Sequence, residues 1–191
     1  KSYIGKTLAQ QFINSNNIDF KNAVVCGVPQ SGILYGTSFA QELSLQYLQF
    51  IQRKADYPWR TFILKTNAER ILACKQKYFI DNDITDKTVV VVDDSIVRGN
   101  TLKHLISLIK SYSPKSIHFV VASPPIKYTC HYGVDFADIE ELVANNMSIS
   151  QMVSYFGFDS LTYLDLDKIN NIQFGTNSNF CNACFTGKYL F

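Results

Sequence analysis

Residues 89–101 read VVVVDDSIVRGNT, and this stretch decides the fold. Four consecutive valines are typical of a strand that is buried on both faces. The apolar run stops at Asp93 and Asp94, and Gly99 and Thr101 follow just before the helical pattern NTLKHLISLIKSY. A buried strand that ends in carboxylates and leads into a helix indicates an α/β protein, in which ligands bind at the carboxyl ends of parallel strands.

Further strands and helices are predicted on both sides of this stretch. KTLAQQF has helical periodicity, NAVVCGVP is a buried strand followed by the helix SGILYGTSFAQELSL, and YLQFI is a second strand. SIHFVVAS is a fourth strand, and residues 52–77 form a long loop with some helix. IEELVANN and SISQMVSYFG are predicted as short helices, and NNIQFGTNSN as a loop. We therefore expect a parallel sheet flanked by helices, with a less regular tail over residues 134–191.

Composition limits the classes of protein to consider. The 191 residues suit a single domain with a substantial core, and 47% hydrophobic with 14% aromatic residues indicates a globular chain. A net charge of +2 argues against a broad nucleic-acid surface. No apolar run is long enough for a membrane span, and no secretory signal is visible, so we expect a cytoplasmic protein. Because the chain begins at Lys1, we expect it to be part of something longer.

The acidic turn has the residue types of a sugar-phosphate site. Backbone N–H groups at the start of the following helix can bind a phosphate, Gly99 permits close approach, and Thr101 adds a hydroxyl donor. Asp93 and Asp94 would repel a phosphate, so they suit ribose hydroxyls or a magnesium ion. The alternative is an acidic turn with a helix cap and no ligand.

This run resembles the phosphoribosyl pyrophosphate (PRPP) signature of type I phosphoribosyltransferases, and most closely that of the amidophosphoribosyltransferases. Many members have Thr-Thr where this chain has Asn100 and Thr101. Residues 121–135, VASPPIKYTCHYGVD, and the stretches EELVANN, ACFTGKY and RTFI resemble the same family. The resemblance implies that PRPP is bound by Asp93, Asp94, Ser95, Ile96, Val97, Arg98, Gly99, Asn100 and Thr101.

The resemblance also implies a pyrophosphate-binding loop. Its residues are Val28, Pro29, Gln30, Ser31 and Gly32. A Mg²⁺ contact is implied at Ser31, with Asp93 and Asp94 on the other side of the ion. The alternative for this segment is a plain strand-to-helix turn.

A catalytic loop that closes over PRPP is implied at residues 54–61, KADYPWRT. Lys54, Tyr57 and Arg60 match the family's catalytic positions, and Thr61 also matches the family's loop sequence. Asp56 stands where an arginine is usual and Trp59 where a glycine is usual, so closure of this loop is in question. Lys75 and Lys77 match basic positions of the family, and the alternative for each is a solvated lysine.

Five cysteines include one CxxC pair. Cys26 and Cys74 are expected to be ordinary small apolar side chains. Cys130, Cys181 and Cys184 match three of the four ligands of the [4Fe–4S] cluster found in many amidophosphoribosyltransferases. The fourth position falls upstream of this chain, so the cluster lacks one ligand here. The alternative is reduced, unligated thiols.

The implied function is the synthase half of an amidophosphoribosyltransferase. It would convert PRPP and ammonia to 5-phosphoribosylamine and pyrophosphate, with Mg²⁺, in a homo-oligomer that binds neither nucleic acid nor membrane. An N-terminal glutaminase domain, which nothing here matches, would supply the ammonia. Three alternatives stay open: a nucleobase phosphoribosyltransferase, a regulatory PRPP-binding domain without catalysis, and an interaction module stabilised by a metal at the CxxC.

Overall fold

The computed structural model describes residues 1–16, 18–54, 77–134, 138–170 and 180–189. Its main sheet has five parallel strands in the order β2-β1-β5-β6-β7. Strands β3 and β4 form a separate antiparallel hairpin. The strands are β1 (Ala23–Gly27), β2 (Gln46–Tyr47), β3 (Ile51–Arg53), β4 (Tyr78–Ile80), β5 (Thr88–Asp93), β6 (Ser116–Val121) and β7 (Ser160–Tyr163).

Helices cover both faces of this sheet, which confirms the predicted α/β fold. They are α1 (Ser2–Ser15), α2 (Ile33–Glu42), α3 (Asn100–Lys110), α4 (Val143–Asn146), α5 (Ile149–Phe156), α6 (Leu166–Asn170) and α7 (Ala183–Thr186), with a 3-10 turn at Ile139–Glu141. Helices α1 and α2 pack on one face, and α3 and α5 pack on the other. Within the described ranges, no helix combines the length and the apolar character needed to cross a membrane.

Strand β5 shows why the valine run forms the centre of the fold. Val89 and Val91 face the α3 side, whereas Val90 and Val92 face the α1 side, and all four are fully buried. Each such side chain contributes about 1.5–3 kcal/mol of hydrophobic free energy on burial. A strand buried on both faces requires this continuous run in place of an alternating pattern.

Several sequence predictions of secondary structure need correction. YLQFI is not one strand, because Gln46–Tyr47 pairs with β1 in the main sheet and Ile51–Arg53 pairs with β4 in the hairpin. IEELVANN is a 3-10 turn followed by a single helical turn. The tail contributes strand β7, which pairs with β6 and which the sequence analysis did not predict.

Candidate functional site

The loops that follow β1 and β5 meet at the carboxyl edge of the sheet. Gly27 pairs with Val92 in the register of these two neighbouring strands. The backbone N–H of Val28 donates to the carbonyl oxygen of Val92 at 2.8 Å. The structure therefore brings residues 28–32 and residues 93–101 together, whereas the ligand roles assigned to them remain predictions.

The loop of residues 28–32 is a tight turn at the start of α2. The N–H of Gly32 donates to the carbonyl oxygen of Val28 at 2.9 Å, and Gly32 is the N-cap of the helix. Ser31 is half-buried, and Gln30 is exposed beside it. The hydroxyl of Tyr78, from the β3–β4 hairpin, donates to the carbonyl oxygen of Pro29 at 3.4 Å. The first N–H groups of a helix lack intrahelical partners, so this turn presents donors suited to an anion.

Asp93 ends β5 and has a strongly perturbed carboxyl group. Its side chain is partly exposed, but the protein around it desolvates the carboxylate and raises its pKa well above the usual range, and the charge of Asp94 raises it further. The N–H of Asp94 donates to Oδ1 of Asp93 at 2.8 Å and acts in the opposite direction. A bound cation or hydroxyl donors at this position would therefore stabilise the ionised form of the two carboxylates.

Two further side chains interact with the acidic pair: Tyr35 was not identified from the sequence as part of this site, whereas Lys77 was matched to a basic position of the family. The pKa of the Tyr35 phenol is raised by burial and then by the charge of Asp94, which places that phenol on α2 within electrostatic range of the pair. The ammonium group of Lys77, at the start of the hairpin's second arm, lowers the pKa of Asp93. The basic position predicted at Lys77 is thus within electrostatic range of Asp93, and its ammonium group lies 4.9 Å from the ring centre of Tyr78.

Some of the remaining predicted PRPP residues pack or form contacts within the fold, and the others lie at the start of α3. Ile96 is buried in the core, and the carbonyl oxygen of Val97 accepts from the N–H of Val143 at 3.0 Å. Nε of Arg98 donates to Oε2 of Glu141 at 2.6 Å in a half-exposed ion pair. Ser95 is half-buried, Gly99 is the N-cap of α3, and Asn100 and Thr101 begin that helix. The backbone N–H groups at the start of α3, more than these side chains, are the groups suited to a phosphate.

Gly99 allows the turn to close against the tail. Its φ of +74° is in the left-handed region, and a Cβ there would lie 2.6 Å from Cζ of Phe156 and 3.0 Å from Cγ2 of Val143. Only glycine meets both the conformational and the spatial requirement at this position.

Gly99→Ala is expected to lower the free energy of unfolding by about 1–3 kcal/mol, because strain and overpacking add. Urea denaturation measures this change. Gly133→Ala is the matched control, since Gly133 has a φ of +103° but a Cβ there meets no described atom within 4 Å. Equal losses in the two variants would show that contact with Phe156 contributes nothing.

Magnesium ligands of the expected kind lie at this edge. Asp93 and Asp94 offer carboxylate oxygens, and Ser31 offers a hydroxyl. In the described part of the chain, no group of three or more His, Cys, Asp or Glu side chains is arranged to hold a metal. Two carboxylates and a hydroxyl are donor types that suit Mg²⁺, which is usually bound through one or two carboxylates together with oxygens of a phosphate ligand.

The predicted catalytic loop is described only at its start. Lys54 is exposed, and its N–H donates to the carbonyl oxygen of Lys77 at 3.1 Å across the hairpin. Tyr57 and Arg60, together with Asp56, Trp59 and Lys75, lie outside the described residues.

The three predicted cluster ligands come from two segments that touch. The N–H groups of Lys127 and Tyr128 both donate to the carbonyl oxygen of Cys184, at 2.9 and 3.0 Å. Burial raises the pKa of the Cys184 thiol, and the nearby thiols of Cys130 and Cys181 raise it further. These three side chains are therefore close enough to interact electrostatically.

Three thiols do not complete a four-thiolate [4Fe–4S] site. Cys26 is fully buried in the sheet, and burial raises its pKa to about 12, so it behaves as the apolar side chain expected from the sequence. Cys74 lies outside the described residues. Along the described ranges, no set of side chains is arranged as a metal site, so the residues present do not by themselves fit the cluster.

The chain is similar to several known proteins. Residues 3–129 match the family model described as "Phosphoribosyl transferase domain". The chloroplastic amidophosphoribosyltransferase of Glycine max is 39% identical over 167 residues, which cover 87% of this chain and 29% of that protein. The amidophosphoribosyltransferase of Archaeoglobus fulgidus is 34% identical over 192 residues, which cover 99% of this chain and 40% of that protein.

The chain is also similar to a solved structure of an enzyme of this kind. The glutamine PRPP amidotransferase from B. subtilis, complexed with ADP and GMP, has a TM-score of 0.78 at 32% identity. That match covers 99% of this chain and 41% of the solved chain. This chain thus spans well under half the length of the proteins that it matches. The chain belongs to the phosphoribosyltransferase domain family and is homologous to the phosphoribosyltransferase portion of amidophosphoribosyltransferases.

Proposed function

We propose that this chain is the synthase half of an amidophosphoribosyltransferase, which converts PRPP and ammonia to 5-phosphoribosylamine and pyrophosphate. The observation that carries the proposal is the meeting of two loops at one edge of the sheet. Residues 28–32 present the amino end of α2, and residues 93–101 present two carboxylates and the amino end of α3. PRPP has a matching layout, with a pyrophosphate and a 5-phosphate on either side of a ribose.

The reaction is a displacement at the anomeric carbon of PRPP. The bond from this carbon to the pyrophosphate oxygen breaks, and its electron pair leaves with pyrophosphate. The nitrogen of ammonia forms the new bond to carbon and then releases a proton to solvent. No side chain has to act as a nucleophile, so positioning and charge stabilisation supply the catalysis.

Each loop has a separate task in this scheme. N–H groups at the start of α2 bind the departing pyrophosphate, and those at the start of α3 hold the 5-phosphate. Asp93 and Asp94 orient the ribose hydroxyls and, with Ser31, would hold Mg²⁺. When bound, Mg²⁺ supplies positive charge to the pyrophosphate oxygens. Lys54, Tyr57 and Arg60 belong to the loop proposed to close over PRPP and exclude water, which would otherwise hydrolyse it.

The proposal extends to the partners of the chain. A glutaminase domain, supplied in cis or in trans, would deliver ammonia from glutamine, and the active form would be a homo-oligomer. A [4Fe–4S] cluster on Cys130, Cys181 and Cys184 is proposed only with a fourth thiolate from outside this chain, and no step of the reaction passes through it. The proposed compartment is the cytoplasm, whereas the Glycine max relative is named as a chloroplastic enzyme.

Release of pyrophosphate from PRPP tests the proposal directly. Purified chain, PRPP and Mg²⁺ are incubated at alkaline pH, where ammonia is unprotonated. The separate additions are an ammonium salt, glutamine, hypoxanthine or adenine, and no acceptor. We expect release that depends on ammonium and is not supported by glutamine alone. Release that depends on the base would establish a nucleobase phosphoribosyltransferase. Binding of PRPP without release would establish the regulatory alternative.

A further inference from the structure

Gln49 lies in the short link between β2 and β3 and uses both ends of its amide. Its Nε2 donates to the carbonyl oxygen of Gly27 at 2.9 Å and to that of Ile51 at 2.7 Å. Its Oε1 accepts from the hydroxyl of Tyr47. Because Gly27 and Ile51 both offer oxygen acceptors, the amide nitrogen has to face them, and the orientation of the side chain is fixed.

The two carbonyl groups belong to different parts of the candidate site. Gly27 is the last residue of β1, so its carbonyl group is joined directly to the loop of residues 28–32. Ile51 is the first residue of the β3–β4 hairpin, and Lys77, whose charge lowers the pKa of Asp93, immediately precedes the second strand of that hairpin. One amide therefore connects the start of the loop to the hairpin beside it.

Close packing transmits a movement of Gly27 to the rest of the loop. A Cβ on Gly27 would lie 2.5 Å from the carbonyl oxygen of Gly32, so the two ends of the loop are in contact. The ring of Tyr47 packs on α2, since its Cε2 would be 3.2 Å from a Cβ on Gly36. The hydrogen bonds of Gln49 thus span β1, the hairpin and a side chain that rests on the first half of α2.

We propose that Gln49 is a positioning residue for the pyrophosphate-binding loop. It holds the carbonyl group of Gly27 so that the N–H groups at the start of α2 aim at the leaving pyrophosphate. It does not touch the 5-phosphate side of the site, which is built by residues 93–101. This inference rests on the proposed function, and it predicts that Gln49 affects one half of PRPP more than the other.

Two fragments of PRPP separate the two halves. Inorganic pyrophosphate with Mg²⁺ probes the loop of residues 28–32, and ribose 5-phosphate probes the acidic turn and the start of α3. In Gln49→Met, which keeps the size of the side chain and loses its donors, the affinity for pyrophosphate is expected to fall about tenfold, as for the loss of a part-buried hydrogen bond. The affinity for ribose 5-phosphate is expected to stay within about twofold of the wild-type value.

Gln52→Met is the matched control. Gln52 is a neighbouring half-buried glutamine, and its Nε2 donates to the carbonyl oxygen of Gln49 at 2.9 Å, but among the described residues its amide makes no hydrogen bond to Gly27 or to residues 28–32. We expect both fragments to bind this variant as they bind the wild type. Equal weakening of both fragments in Gln49→Met, or weakening of pyrophosphate in Gln52→Met as well, would overturn the assignment in favour of a general structural role.

Gln49→Glu adds a readout that a purely structural role would not give. A carboxylate at this position has no donor and would face two carbonyl oxygens, whereas its protonated form regains one donor. Pyrophosphate affinity relative to the wild type at the same pH is expected to recover as the pH falls, and a constant ratio would contradict the proposal. If the wild type binds neither fragment, the proposed function fails. If the wild type binds both fragments and Gln49→Met weakens both equally, only the role inferred for Gln49 fails.

Discussion

Asp93→Asn is expected to raise the melting temperature of the ligand-free protein while lowering its PRPP turnover on the order of 100-fold. The stabilisation follows from the environment of the carboxylate, which the surrounding protein desolvates and Asp94 repels. An amide of the same shape carries no charge, so both costs disappear. A rise of about 2–4 °C corresponds to ~1 kcal/mol for a domain of this size. The loss of turnover is expected because, in the proposed function, the same charge orients the ribose and holds Mg²⁺.

The pH dependence of this stabilisation has a definite sign. The pKa of Asp93 is raised in the folded state, so the folded protein binds more protons than the unfolded chain between the ordinary value and the raised one. The stability of the wild type therefore falls as the pH rises through this window. The advantage of Asp93→Asn is expected to be full above the raised pKa and to vanish below the ordinary pKa of an aspartate. Urea denaturation of both proteins across this range measures the difference.

Asp83→Asn is a control of opposite sign. Asp83 is exposed, and the backbone N–H of Thr85 lowers its pKa by donating to Oδ1 at 2.9 Å. A depressed pKa contributes stability above the unfolded value, so Asp83→Asn is expected to lower the melting temperature at neutral pH and to leave turnover unchanged. If Asp93→Asn were also destabilising at neutral pH, the account of its desolvated carboxylate would be wrong. Added PRPP and Mg²⁺ should raise the melting temperature of the wild type more than that of Asp93→Asn.

The centre of the fold could be predicted because its signals are local. The valine run of β5 and the apolar runs of β1 and β6 are buried on both faces, and the helices that follow β1 and β5 have visible periodicity. Strand β7 was missed because it has only four residues, lies at the edge of the sheet, and is defined by pairing with a strand about 40 residues earlier. Non-local pairing of this kind leaves little trace in a short sequence window.

In the candidate site, too, local arrangements could be predicted from the sequence, whereas contacts between distant segments could not. The acidic pair and the glycines could be identified because each lies within one short turn, which is a local arrangement. Interactions between distant segments could not be anticipated, such as the ion pair of Arg98 with Glu141 and the electrostatic interaction of Tyr35 with Asp94. Gln49 in particular sits in a stretch predicted as strand, and its role depends on two carbonyl groups from separate elements. Side chains that position a loop through such contacts can be identified only from the three-dimensional structure.

Gly32→Ala is expected to lower PRPP turnover on the order of 100-fold, the loss that a displacement of about 1 Å can cause at a site that works by positioning. A Cβ at Gly32 would lie 2.4 Å from the carbonyl oxygen of Val92, 2.7 Å from the nitrogen of Val28 and 2.8 Å from its oxygen. All three atoms are backbone, so none can rotate away as a flexible side chain would. The φ of Gly32 is −72°, which any residue adopts, and the effect is therefore one of space and not of backbone strain.

The direction of the displacement makes the effect large. Val92 immediately precedes Asp93, and the N–H of Val28 is bonded to the carbonyl oxygen of Val92, so a methyl group at Gly32 pushes the two loops apart at the point where they meet. Overpacking of this kind is also expected to destabilise the protein by about 1–3 kcal/mol, which a melting curve reports. Leu34→Ala, a change at a side chain that is 57% exposed in the first turn of the same helix, is the control and should leave turnover unchanged. Wild-type turnover in a folded Gly32→Ala protein would mean that contact between the two loops is not required, and the proposed division of PRPP between them would have to be abandoned.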